Sequence, residues 1–231
     1  MIAKTIFAVS PDDLRRNLSG IYFEKREGRT LRLVATDGHR LSLAENGIED
    51  DIKLKKGVVV PKKGVSELRK MVKLDDYVKI GCGKTDFVAQ SSGISLIVRL
   101  IDAEFPDYRQ VIPENTKLAI HVKRDEFLSA LRRVSILSAE RTKSVKISIE
   151  SGKMTLTSVS PELGEAKEVV PLDLAGDPLE LGFNARYLMD VLEVVGQDAV
   201  QLLITDELSP VVIKPAVDEE VYISVIMPMR V

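Results

Sequence analysis

Side chains that carry out chemistry are few in this sequence. Two histidines, His39 and His121, and one cysteine, Cys82, are all it holds of those types. They are far apart along the chain, so no His/Cys cluster has metal-ligand spacing. Neither a GxGxxG nor a GxxxxGK[ST] phosphate loop occurs, and there is no GxSxG nucleophile elbow. Cys82 closes the run Ile80-Gly81-Cys82-Gly83, where a half-buried structural thiol is expected. His121 alternates with Ile120 and Val122, as a surface or hydrogen-bonded strand histidine would. The expectation is therefore no enzyme, no catalytic residue, no metal and no cofactor.

Two stretches suit binding better than catalysis. In Leu31 to Glu45, LRLVATDGHRLSLAE, two apolar-alternating runs meet at Thr36-Asp37-Gly38-His39-Arg40. Asp-Gly between such runs is a strong hairpin signal. A turn needs only Asp-Gly, however, and His39-Arg40-Leu41 follows as a candidate pocket lining. The other stretch is the C-terminal Tyr222 to Val231, a strand leading into Met227-Pro228-Met229. Such an apolar end either docks on its own domain or forms part of an exposed groove. Methionine is polarizable and adaptable, which suits a surface that accepts several partners.

The elements that must position these residues can be read from periodicity. Ile2, Ile6 and Val9 share a helical face, which Ser10-Pro11 breaks. Strands are expected at Gly20 to Glu24, Leu31 to Ala35, Leu41 to Ala44 and Val58 to Pro61. A helix over 62–72 turns Val65, Leu68 and Val72 inward and Lys63, Glu67 and Lys70 outward. Strands return at Tyr77 to Gly81, Phe87 to Gln90 and Ile94 to Ile101, and 105–115 reads as a linker. Beyond it come a strand at Lys117 to Val122 and a helix carrying Phe127, Leu131 and Val134. Strands follow at Val145 to Glu150, Met154 to Val159, Ala166 to Leu172 and Leu179 to Asn184. A helix over Ala185 to Val195 precedes the last strands, Val200 to Thr205, Val211 to Lys214 and Tyr222 to Met227.

The halves repeat. Val60 to Leu68 matches the pattern of Phe183 to Val191 at an offset of 123, and Tyr77 to Ile80 falls on Ala199 to Leu202 at an offset of 122. The strand Lys117 to Val122 has no counterpart in the first copy: either that strand was lost or, the preferred reading, the chain is the C-terminal part of something longer.

The chain has 231 residues, enough for two ordinary domains with real cores. Its 33 Lys and Arg against 35 Asp and Glu give a net charge of −2, so any nucleic-acid contact would need locally clustered charge. A single cysteine permits no internal disulfide, which suits a reducing, cytoplasmic setting. No membrane span or signal peptide is evident.

The segments VATDGHRLSLAE, VVVPKKGVSEL, EFPDYRQVIP, LELGFNARYLMDVLEVV and the terminal VIMPMRV, in that order, resemble the bacterial sliding clamp, the beta subunit of DNA polymerase III. The resemblance covers the whole chain. It implies an α+β fold made of a duplicated clamp domain, with antiparallel sheets outside and two helices per domain on the inner face. Residues 1–113 are similar to the middle domain, without its opening strand, and 114–231 to the C-terminal domain. The family's first domain would be absent. In the family, two three-domain protomers close a ring around duplex DNA, and the ring acts as a processivity factor without being an enzyme.

The resemblance also implies sites. Helix faces would bring Lys62, Lys63, Lys70 and Lys73, and Lys123, Arg124, Arg132 and Arg133, to DNA phosphates without reading bases. Glu67, Asp125 and Asp190 would dilute that effect, and so would Asp12 and Asp13. One part of a peptide-binding groove would comprise Leu18, Thr36, Gly38, His39, Arg40, Leu41, Pro106, Gln110, Val111, Val225, Met227, Pro228, Met229, Arg230 and Val231. A neighbouring part would comprise Arg15, Asn184, Tyr187, Leu208 and Pro210. The implied partners are the polymerase III alpha subunit, clamp-loader subunits, and repair and translesion polymerases, all bound through short linear motifs. The full-length parent would be a homodimeric ring. The alternative is a fragment that cannot close a ring and serves only as a peptide-binding module, mainly monomeric. Gln110, where the family often has arginine, is expected to shift peptide preference. Ile226 and Val231 are milder departures.

Overall fold

The computed structural model describes residues 1–12, 14–50, 52, 54, 57–75, 77–138, 143–172, 178–217 and 221–230. The chain divides into two units, Met1–Tyr108 with Glu220–Tyr222, and Arg109–Glu219 with Ile223–Val231.

In the first unit a short helix, α1 (Ile2–Thr5), passes into a 3-10 turn at Ile6–Ala8. Strands β1 (Gly20–Arg26), β2 (Thr30–Thr36), β3 (Arg40–Gly47) and β4 (Val58–Pro61) make an antiparallel sheet in the order β4-β1-β2-β3. Alternate residues face inward, as the pleat requires: Leu31, Leu33 and Ala35 of β2 are all buried. Helix α2 (Lys62–Leu74) follows directly, then β5 (Lys79–Cys82), β6 (Asp86–Ser91) and β7 (Ile94–Arg99), a second antiparallel sheet in the order β5-β6-β7. Ile21 and Phe23 of the first sheet, Val65, Leu68 and Met71 of α2, and Phe87 and Ala89 of the second sheet share one core. The Phe23 and Phe87 rings meet at 5.4 Å with tilted planes, a favourable aromatic geometry.

The second unit opens with β8 (Leu118–Lys123) and α3 (Arg124–Ser135). Then come β9 (Ser144–Glu150), β10 (Lys153–Ser160), β11 (Gly164–Pro171) and β12 (Leu179–Asn184), helix α4 (Ala185–Val194), and β13 (Ala199–Ile204), β14 (Val211–Pro215) and β15 (Tyr222–Ile226). Its sheets run β12-β9-β10-β11 and β8-β13-β14-β15. Phe127, Leu131 and Val134 of α3 and Leu188 and Val191 of α4 are fully buried.

The duplication is visible in the pairing itself. β1 pairs β4 with Ile21 opposite Val60, and β9 pairs β12 with Val145 opposite Phe183. The order β4-β1-β2-β3 recurs as β12-β9-β10-β11, and β5-β6-β7 recurs as β13-β14-β15. Most strand ends differ from the sequence reading by a residue or two, as element ends do, while β3 runs three residues past the expected Ala44, to Gly47.

Two expectations need correction. Val72 is 47% exposed, and Met71 is buried in its place. Gly64 and Met71 lie seven residues apart, on nearly one line along the helix, and the buried stripe leans to their side. The segment 105–115 is more than a linker. Phe105 and Tyr108 are buried, Phe105 stacks on Tyr22 at 4.8 Å, and a 3-10 turn spans Tyr108–Val111. The Tyr108 hydroxyl donates to Glu24 Oε2 at 2.6 Å and accepts from Arg32 Nη1 at 2.6 Å. Arg32 also pairs with Glu45. Burial pushes the Tyr108 phenol above its ordinary pKa, and the bond to Glu24 adds to that shift.

Gly64 is where α2 meets β7. A Cβ there would lie 2.4 Å from Val98 Cγ1. Overpacking costs about 1–3 kcal/mol, and the helix propensity of Ala over Gly returns about 1 kcal/mol. Gly64→Ala should therefore lower the unfolding free energy in urea by about 1 kcal/mol. Adding Val98→Ala should relieve the clash, seen as a non-additive double-mutant cycle.

Candidate functional site

In the first unit, Thr36 pairs with Leu41, so Asp37 to Arg40 form a four-residue hairpin loop. Gly38 has φ +88, which only glycine adopts without strain. Asp37 organises the rest. Its Oδ1 accepts from the His39 N–H at 2.9 Å and the Arg40 N–H at 3.0 Å, an Asx arrangement. Its Oδ2 accepts from Arg40 Nε at 3.0 Å. Arg40 Nη2 then donates to the Phe7 carbonyl at 2.6 Å, and the guanidinium lies 5.2 Å from the Phe7 ring centre. The Thr36 hydroxyl donates to the Arg40 carbonyl at 2.7 Å and accepts from the Gly38 N–H at 3.1 Å. Arg15, exposed, donates to the Asp37 carbonyl at 3.1 Å.

This geometry divides the candidates by what each can offer. The side chains of Arg40 and Asp37 are only 10% and 8% exposed, so Arg40 is held inward as a positioning residue. Leu18 and Leu41 are buried beneath the surface, while Gly38, His39 and Pro106 are exposed. The sequence reading assigned Asp37 to the turn alone and missed Phe7. The Asx pattern of Asp37 was the available signal. Nothing local marks Phe7, 33 residues before Arg40.

In the second unit the tail is tied to its own sheet. Met229 N–H donates to the Gly182 carbonyl of β12 at 2.8 Å, an isolated antiparallel bridge. Val225 and Ile226 are buried, Met227 is 37% exposed, Pro228 and Met229 are half-buried, and Arg230 is exposed. The docked tail and the exposed apolar surface thus coexist: the backbone is bound at Met229, Met227 is exposed and Met229 is partly covered. Val231, like Asp13, lies outside the described residues.

A surface pocket of about 430 Å³ in this unit is lined by four of the expected residues, Gln110, Val111, Pro210 and Met227. Pro113, Glu114, Asn115, Thr205 and Ser209 complete it and were not foreseen. Leu208, 79% exposed, stands beside it on a turn made by Asp206. Asp206 Oδ1 accepts from the Leu208 and Ser209 N–H groups at 2.9 and 2.7 Å, and Oδ2 accepts from the Ser209 hydroxyl at 2.9 Å. These bonds, the Ser209 hydroxyl foremost, hold the Asp206 carboxyl below its ordinary pKa. Asn184 caps α4 by accepting from the Arg186 N–H at 2.9 Å, and Tyr187 is half-buried on the same helix.

The basic residues of the helices are mostly engaged. Lys70 pairs with Glu67, Lys123 with Glu126, Arg124 with Asp125, Arg132 with Glu193 and Arg133 with Glu168. The last pair is bidentate, with both nitrogens 2.8 Å from oxygen. Among the described residues, Lys62, Lys63 and Lys73 make no ion pair. No group of three or more His, Cys, Asp or Glu residues suited to a metal occurs among the described residues, and no helix is long and apolar enough to cross a membrane. Cys82 is half-buried, and burial raises its thiol pKa. The exposed His121 contacts Gln201 Nε2 at 3.0 Å, as its strand position suggests.

A duplicated unit of this architecture can be compared with known proteins. The family model of the DNA polymerase III beta subunit central domain matches residues 1–107, and that of its C-terminal domain matches 109–230. The beta sliding clamp of Caulobacter vibrioides is 37% identical over 235 residues, an alignment covering 100% of this chain and 63% of the relative. That of Escherichia coli is 34% identical over 231 residues, covering 62% of the relative. The crystal structure of the beta subunit from Pseudomonas aeruginosa superposes with a TM-score of 0.94 at 33% identity, again over 100% of this chain and 63% of the other. The sliding clamp of Bartonella birtlesii bound to griselimycin superposes at 0.92 with 34% identity, over the same shares. The chain belongs to the DNA polymerase III beta subunit family, the sliding clamps, and spans a little under two thirds of the length of these relatives.

The Asp37 network predicts a contrast at adjacent positions. Asp37→Ala leaves Arg40 without its carboxylate in a nearly closed setting and should cost about 3 kcal/mol of stability. His39→Ala, on the exposed side of the turn, should cost under about 0.5 kcal/mol. Urea unfolding of the two variants reads the difference directly.

Proposed function

We propose that this chain carries the peptide-binding and DNA-facing parts of a sliding clamp, a processivity factor that tethers the replicative polymerase to duplex DNA. The observation that carries this reading is the pocket in which Gln110, Val111, Pro210 and Met227 come together, four residues singled out in the sequence as peptide contacts. A small apolar pocket anchors a leucine or phenylalanine of an extended peptide, while polar groups at its edge orient the backbone. Met227, Met229 and Leu208 offer adaptable apolar surface, and Gln110, Thr205 and Ser209 offer hydrogen bonds. In the first unit, Gly38, His39 and Pro106 are the accessible candidates. Thr36, Leu18 and Leu41 support them from below, and Arg40 sets the turn. Arg15, Asn184, Tyr187, Val225, Pro228, Arg230 and Val231 complete the proposed set.

The function is binding rather than catalysis, and it calls for no cofactor. The partners are proteins carrying short linear motifs, among them the polymerase III alpha subunit, the clamp loader, and repair and translesion polymerases. Duplex DNA is the other partner, held without regard to sequence inside the parent ring, in the cytoplasm. Most helix cations are already paired with carboxylates, so direct attraction to phosphate is weak. That fits a protein retained by encirclement while it slides.

Two measurements test the reading. Calorimetric titration of the 231-residue chain with a Gln-Leu-x-Leu-Phe peptide should show saturable binding, and the Pro228→Ala/Met229→Ala double variant should weaken it at least tenfold. Binding that is absent, or that the double variant leaves unchanged, would overturn the site assignment. For DNA, the Lys62→Ala/Lys63→Ala/Lys73→Ala variant should flatten the dependence of log K on log salt by about 0.9 for each phosphate that is no longer neutralised. Arg133→Ala, whose guanidinium already holds Glu168, should leave the slope unchanged.

A further inference from the structure

The pocket that contains Met227 is one-sided in charge and in hydrogen bonding. Of the nine described residues that line it, Glu114 is the only one that carries a charge. Glu114 is exposed, and among the described residues its carboxylate has no ion-pair or hydrogen-bond partner. No cation stands opposite it on the pocket wall: Gln110 is neutral, at the position where the family often has arginine. The two hydroxyls of the wall add to this bias. The Thr205 hydroxyl donates to the Asn115 carbonyl at 3.0 Å, and the Ser209 hydroxyl donates to Asp206 Oδ2 at 2.9 Å. A hydroxyl has one proton, so each is left with lone pairs to offer a ligand. Asp206, outside the lining, is already occupied by the Leu208 and Ser209 N–H groups and is balanced in part by Lys117.

We propose that this pocket selects peptide motifs that carry a lysine or arginine next to their apolar anchor, with Glu114 as the residue that sets the preference. This preference rests on the peptide-binding reading above and names the ligand chemistry of that same pocket. An ammonium offers three donors and a guanidinium five, and neither accepts. Both therefore match a rim of one carboxylate and two hydroxyls whose protons are committed. An acidic side chain in the same place would meet Glu114 with no cation of the wall to offset it, and would find no free hydroxyl proton. Rejection of acidic motifs is thus as much a part of the selectivity as attraction of basic ones. Met227, Val111 and Pro210 serve the apolar anchor, and Glu114 serves the side chain beside it.

The test is calorimetric titration of the intact 231-residue chain with the peptide Gln-Leu-Ser-Leu-Phe, capped at both ends, and with substituted relatives. Arginine or glutamate is placed before Gln, in place of Ser, or after Phe. At one or more of these positions the arginine peptide should bind at least about fivefold more tightly than the glutamate peptide, since attraction and repulsion at an exposed carboxylate both contribute. Glu114→Gln should shrink that ratio to under about twofold, and Glu114→Lys should reverse it. The ratio should also fall at high salt, as it does for exposed charges. If no peptide of the set binds, the peptide-binding reading itself fails, and the preference falls with it. If the reference peptide binds but arginine and glutamate peptides bind alike at all three positions, the pocket stands and the preference is overturned. A preference that survives in Glu114→Gln likewise overturns it, by assigning the selectivity to other residues.

Discussion

Each unit depends on the burial of an apolar helix stripe against antiparallel sheets. In the first unit, Val65, Leu68 and Met71 of α2 meet Phe23 and Ile21 from one sheet and Phe87 and Ala89 from the other. In the second, Leu188 and Val191 of α4 and Phe127, Leu131 and Val134 of α3 are enclosed in the same manner. Each fully buried large side chain is worth about 1.5–3 kcal/mol, so a few of them decide where the helix sits. Once it is placed, its outer face is committed as well. That is why Lys62, Lys63, Lys70 and Lys73 are exposed together.

Polar groups act on this frame by being used up. Asp37 spends its carboxylate on two backbone N–H groups and the Arg40 guanidinium. The turn it makes is closed and specific, and it leaves Gly38 and His39 outward. Arg32, Glu24, Glu45 and Tyr108 do the same at the end of the first unit and turn a stretch that reads as a linker into an anchored aromatic corner. On the helices, carboxylates restrain Lys70, Lys123, Arg124, Arg132, Arg133 and Arg186.

The repeat makes one unit a control for the other. Where the pairing orders agree, as in β4-β1-β2-β3 and β12-β9-β10-β11, burial still differs at the last strand: Leu41, Leu43 and Ala44 of β3 are buried, whereas β11 is mostly exposed. Where they differ, at β5 and β13, the same apolar face is half-buried in one and closed in the other. The difference follows from the neighbouring strand, since the two faces carry the same kind of residue.

Much was legible in the residues alone. Alternation marked the strands, most of them within a residue or two, helical spacing marked α2, α3 and α4, and the match of Val60 to Leu68 with Phe183 to Val191 disclosed the duplication. These are local properties, because a period of two or of 3.6 is written into neighbouring residues. The Asp-Gly turn and the apolar tail were legible for the same reason. Tertiary structure alone decided that Met71 and not Val72 is buried, because the direction of a helix stripe is set by the sheets it meets. It turned Arg40 inward through Phe7, a partner no spacing rule points to. It also gathered Gln110, Val111, Thr205, Pro210 and Met227 around one pocket from three distant segments. Such contacts join residues far apart in the chain, and only the packing of the whole unit brings them together.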